Sequence, residues 1–140
     1  MGRETRCLAN GSAHIRIARP TRDLAAAERF WRTGLGLSEL FRHAPEAGEH
    51  GLLMLGRPDA AWHLELTTDP SGDLEPSPTP DDLLVIYLGE PVPAELVARL
   101  ERSGGRRVAA YNPYWDEWGV TLEDPDGYRL VLCEREWSNS

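Results

Sequence analysis

A chain of 140 residues is long enough for one compact domain, or for two small modules that share a core. Apolar residues make up 41% and charged residues 27%, a globular composition that excludes disorder and fibre as starting points. Fifteen basic against 23 acidic residues leave a formal charge of −8, which repels polyphosphate and anionic lipid and argues against nucleic acid as a partner. The longest apolar run, from Leu83 to Leu88, is far short of the roughly 20 residues needed to span a bilayer. The N-terminal stretch lacks the roughly 7–15 apolar residues of a secretory signal, so the expected location is cytoplasmic. Cys7 and Cys133 form no CxxC pair and fit a reducing compartment, with Cys133 read as a small packed hydrophobe. Every basic residue is arginine, and the lack of lysine removes Schiff-base and lysine-base mechanisms.

Residues 1–12 are polar and aperiodic, as in a loose arm. From 14 to 18 the chain alternates, with Ile15 and Ile17 on one face and His14, Arg16 and Ala18 on the other, which predicts a half-buried strand. Asp23 then caps a helix of about three turns with Leu24, Ala27, Phe30 and Trp31 on one stripe and Gly34 at its stop. Short strands follow at 37–42, 51–55 and 62–67. The segment 69–82 holds four prolines and no apolar periodicity, the composition of a linker. Beyond it the order repeats: a strand at 83–88, a helix at 93–102 closed by Gly104 and Gly105, and strands near 106–111, 119–122 and 128–133. His63-Leu64-Glu65-Leu66-Thr67 overlays Arg129-Leu130-Val131-Leu132-Cys133 at a spacing of 66 residues. The shared leucines predict a helix-facing side, leaving His63, Glu65, Thr67, Arg129, Val131 and Cys133 on the opposite side of two curved sheets.

Two tandem βαβββ modules, an HLELT strand closing the first and GVTLEDPDGYRLVL closing the second, resemble the vicinal oxygen chelate superfamily of glyoxalases, bleomycin-resistance proteins and dioxygenases. The wider stretch YNPYWDEWGVTLEDPDGYRLVL resembles small bacterial members. The resemblance covers residues 13–137 and implies an α+β fold, in which a first module at 13–68 and a second at 83–137 form a curved, mixed-sheet cup. It also implies a homodimer, with each cup built either within one chain or from one module of each subunit.

Metal-dependent members of that superfamily carry four ligands, one on the first and one on the last strand of each module. Carried over, the closing positions fall on Glu65 and Val131, and the opening position of the second module on Leu83, followed on the same face by Val85 and Tyr87. In the first strand a gap-free count from Asp23 gives Arg16, and a two-residue shift gives His14. At best two ligands of four remain, so no metal and no other cofactor is expected. If Arg16 holds the first position, its guanidinium would face Glu65 and keep it ionised. His63 shares that face, while His43 and His50 sit near loops. Tyr111, Tyr114, Trp115 and Trp118 crowd an irregular stretch that reads as a loop able to cap the cup and stack on a flat ligand, with Asp116 and Glu117 solvated and Trp62 in the core.

The expected ligand-binding set is His14, Arg16, His63, Glu65, Tyr87, Tyr114, Trp115, Trp118 and Arg129. The function this implies is binding of a small organic molecule, with an acidic rim suited to a cationic, aromatic, antibiotic-like ligand. The alternatives are a metal-free lyase or isomerase with Glu65 or His63 as general base, and a metal-dependent lyase or dioxygenase with a shifted site.

Overall fold

The computed structural model describes residues 11–140; most of the N-terminal arm, and Cys7, lie outside them. Strand β1 (Ile15–Pro20) leads into α1 (Leu24–Glu28), which runs on without a break into a wider π-helical turn, Arg29–Gly34. Strands β2 (Ser38–His43), β3 (Gly51–Gly56) and β4 (Trp62–Thr68) follow. The second half has β5 (Leu83–Tyr87), α2 (Ala94–Arg102), β6 (Arg106–Val108), β7 (Gly119–Glu123) and β8 (Arg129–Cys133), with a short helix α3 (Pro113–Trp118) inserted before β7. Each half makes its own four-stranded sheet, in the orders β1-β4-β3-β2 and β5-β8-β7-β6. In both, the first and last strands of the module pair in parallel and the other ladders are antiparallel.

Local chemistry explains these elements. The Asp23 carboxylate accepts from Ala26 N at 3.1 Å and starts α1. The stripe that predicts a regular helix packs into the core, with Ala27, Phe30 and Trp31 buried and Leu24 half-buried, but the spacing gives no sign that its last six residues widen. They do so where the turn presses on α2, with the missing Cβ of Gly34 directed at Leu100 Cδ2 from 3.0 Å. The strand expected at 106–111 ends at Val108, because Ala110 N turns away to donate to the Asp116 carboxylate at 3.0 Å. Asp116 is thus exposed but engaged. The loop expected over 111–118 is largely the helix α3, started by Asn112, whose side chain accepts from Tyr114 N, and by Pro113 in its first turn. An Asn-Pro start is a helix signal in its own right.

Leu64 and Leu66 of the first sheet meet Leu130 and Leu132 of the second in one continuous core with Ala27, Phe30, Trp31, Val97 and Leu100 from the helices. Trp62 packs half-buried against that core. The two modules are locked by the 123–128 turn. Asp124 accepts from Trp31 Nε1, Asp126 accepts from the Thr21 hydroxyl and from Arg22 N, and Tyr128 OH donates to Pro20 O. Within the linker, which has no regular structure, Pro76 O and Pro80 O accept from Arg22 and Arg129, one anchor to each module. No helix among the described residues is long and apolar enough to cross a membrane.

Candidate functional site

The parallel ladders fix the register that spacing leaves open. Arg16 pairs with His63 and Ala18 with Glu65 in the first sheet, as Leu83 pairs with Arg129 and Val85 with Val131 in the second. Arg16 is therefore the counterpart of Leu83, and His14 lies two residues before it. Both side chains nonetheless reach the same site. Arg16 Nη2 donates to Glu65 Oε2, Glu65 Oε1 lies 3.2 Å from His63 Nε2, and His63 Nδ1 lies 2.7 Å from His14 Nε2. Arg16 of β1, His63 and Glu65 of β4, and His14 just before β1 thus form one hydrogen-bonded chain on the side of the first sheet that faces away from the leucine core.

Its electrostatics follow from its burial. Glu65 is 2% exposed, and among the described residues its side-chain partners are Arg16 and His63. The Arg16 hydrogen bond holds the Glu65 carboxyl below the usual carboxylate range, against the opposing push of burial and with help from His63. The same hydrogen bond raises Arg16. The Arg16 side chain remains 55% exposed, so the ion pair has a buried end and a wet end. Across the sheet Glu65 is flanked by Met54, and Met54 by Phe41, so an apolar strip continues from the ion pair to the exposed edge strand.

The residues do not fit a divalent cation. Of the four strand positions, Leu83 and Val131 offer no donor, Arg16 offers only N–H, and Glu65 alone is a ligand type. A shifted site over His14, His63 and Glu65 fails on geometry. His14 lies against Nδ1 of the His63 ring and Glu65 against its Nε2, so the three cannot converge on one ion. Among the described residues no group of three or more His, Cys, Asp or Glu is arranged to hold a metal. His43 and His50 stand apart at the surface, near Glu49 and Asp69.

The other expected residues gather on the second module. Tyr87 at the end of β5 lies 6.4 Å from the Trp115 ring, and Tyr114 meets Trp115 edge-on at 5.0 Å. Trp118 is stacked by the Arg135 guanidinium at 4.5 Å, and Arg135 also donates to Tyr114 OH. Arg129 is committed to Glu123 and to the carbonyls of Pro80 and Ala109, which leaves its guanidinium little freedom to meet a ligand. Tyr111 is exposed and joins none of these ring contacts. Trp137, which sequence reasoning passed over, lies 6.5 Å from Tyr87 and with Glu136 and Gly89 borders an open cavity of 520 Å³. It lies beyond the last strand, in a segment with no periodic signal. Cys133 is buried and free.

Residues 15–67 match the YycE-like N-terminal domain and residues 81–134 the YycE-like C-terminal domain. The chain is 43% identical over 122 residues to YycE of Bacillus subtilis (strain 168), covering 86% of this chain and 87% of that one. A crystal structure of Bacillus subtilis YycE is similar at a TM-score of 0.79 and 39% identity, covering 92% of this chain and 94% of that one. Two more distant structures share the fold alone. Leishmania major glyoxalase I has a TM-score of 0.64 at 20% identity, covering 86% of this chain and 84% of that one. TnmS3, an antibiotic binding protein from Streptomyces sp. CB03234, has a TM-score of 0.57 at 21% identity, covering 93% of this chain and all of that one, 100%.

Proposed function

Because the chain belongs to the YycE-like family and has the vicinal oxygen chelate fold, we propose that it binds a small organic molecule on the open face of its first sheet without a divalent metal. The observation that carries this reading is the Arg16–Glu65 ion pair, which puts a fixed guanidinium against the one carboxylate left at the ligand positions. Charge that a cation would otherwise balance is balanced by the chain itself. An acidic protein with Tyr87, Tyr114 and Trp115 grouped at the surface suits a cationic aromatic ligand, and TnmS3 offers a precedent on this fold for antibiotic binding. A cytoplasmic homodimer, in which the aromatic group of one subunit faces the ion pair of the other, belongs to the same reading. Sedimentation of the purified protein checks the dimer.

Elemental analysis followed by thermal-shift titration with zinc, nickel, manganese and cobalt tests the metal-independent reading. The expected result is substoichiometric metal and no gain in Tm. Stoichiometric metal with a clear gain would overturn it, since tight binding to the native state must stabilise it. Titration with bleomycin, followed by tryptophan emission, then tests the ligand class; saturable quenching is expected, and its absence would sink the cationic aromatic assignment. The hydrogen-bonded histidines favour a second reading, metal-free proton transfer, and the residue that would carry it can be identified.

A further inference from the structure

The donors and acceptors of the chain Arg16–Glu65–His63–His14 follow from the charge of its middle member. Glu65, ionised beside Arg16, can only accept. His63 Nε2 must then carry a hydrogen, and with both rings neutral its Nδ1 has a lone pair. His14 Nε2, 2.7 Å away, has to be the donor to that lone pair. This leaves His14 Nδ1 unprotonated on an exposed ring, while both nitrogens of the buried His63 ring are occupied. His63 therefore has no ring nitrogen left for a substrate, and Arg16 holds the Glu65 carboxyl below the usual carboxylate range, which makes it a weak base. Arg16 stands two residues from His14 on the same face, and only its Nη2 is taken by Glu65, so Nε and Nη1 keep hydrogens for an incoming oxygen.

We propose that His14 is a metal-free general base and that Arg16 cradles the oxygens of a carbon acid of the 2-oxo acid class, with Glu65 and His63 as positioning residues that set the tautomer of His14. This rests on the metal-independent, proton-transfer reading above, and it puts an anionic substrate at Arg16 in place of the cationic aromatic ligand of the binding reading. His14 Nδ1 takes a proton from the carbon next to the carbonyl. The C–H electron pair becomes the carbon–carbon double bond of the enolate, and the carbonyl electrons move onto oxygen beside Arg16. The proton on His14 then passes to that oxygen, giving the enol, or returns to carbon. The reaction is a tautomerisation that consumes nothing else. An apolar substituent on the acid would lie along Met54 toward Phe41.

Two measurements on chelator-treated, ¹⁵N-labelled protein test this. Long-range ¹H–¹⁵N correlation at neutral pH is expected to show His14 and His63 both with hydrogen on Nε2 and none on Nδ1; a His63 imidazolium, or hydrogen on His14 Nδ1, would overturn the assignment. Phenylpyruvate in D₂O is expected to exchange deuterium at its C3 at least tenfold faster than in buffer. His14→Phe and His14→Gln should both abolish the gain with folding intact, Arg16→Met should act mainly on KM, and Glu65→Gln should lower kcat and mix the His14 tautomers. Exchange no faster than buffer, or unchanged in both His14 variants, would refute the proposal. Resident metal found alongside exchange that survives chelation would overturn only the metal-independent reading, whereas exchange lost on chelation would overturn the base assignment.

Discussion

The indole Nε1 of Trp31, in the first module, donates to Asp124 Oδ2 of the second at 2.9 Å, and both groups are buried. The same carboxylate accepts from Asp126 N and Tyr128 N, so one aspartate holds its own turn and the opposing helix together. Trp31→Phe keeps a large ring but removes the donor and some volume. A loss of about 2–4 kcal/mol is expected from the void and the under-satisfied carboxylate, read as a lower urea midpoint at unchanged slope. A loss under about 1 kcal/mol would mean that the joint is held by the leucine core alone.

Arg16 and Glu65 are expected to be energetically coupled. Arg16→Met should lower Tm and raise the Glu65 carboxyl, because it leaves a buried charge facing only His63. Adding Glu65→Gln to that variant should recover part of the loss. Additive changes across the four proteins of this cycle, measured at pH 7, would show that the pair does not act as a unit.

Acid stability should follow the carboxylates whose folded-state pKa lies below the unfolded one. Glu65 is held down by Arg16, Glu28 by Arg42, and Glu123 by Arg106 and Arg129 against an opposing burial effect. Their contribution is fully present above the unfolded value of about 4.3 and is lost as pH falls through the lower folded values. Asp124 has the opposite sign: burial raises it, so its ionisation costs stability as pH rises through the raised value. Tm should therefore fall below about pH 4.5, and Glu65→Gln should flatten that fall. An unchanged slope in the variant would remove Glu65 from the account.

Gly119 begins β7 immediately after α3, and a Cβ there would sit on the Leu132 carbonyl of the neighbouring strand. The constraint is close approach and not backbone angle, since Gly119 is extended. Gly119→Ala is expected to cost about 1–3 kcal/mol by overpacking, seen as a lower Tm. Full stability would imply that α3 can lift from the sheet.

Much of this could be read from residue order because the signals are local. Alternating leucines in the HLELT and YRLVL strands mark which face is core. The joint was not legible in this way: the turn 123–128 announces itself as a turn, but its partners Thr21, Trp31 and Pro20 are about a hundred residues away and carry no pairing signal. The site was half legible. Parity put His14, Arg16, His63 and Glu65 on one face, but only the β1–β4 register shows that both Arg16 and His14 reach it. Helix α3 is hard to read because its crowded aromatics give no apolar stripe, and its one local signal is the Asn112-Pro113 start.

Each ladder closes within its own half, and the segment between the halves carries no strand. A peptide bond cut within residues 69–82 would break no sheet. The fragments would retain the faces that meet in the leucine core and at Asp124 and Asp126, so nicked protein should stay associated under native conditions. Covalent continuity here supplies local concentration more than architecture, as expected of a chain whose halves repeat one design.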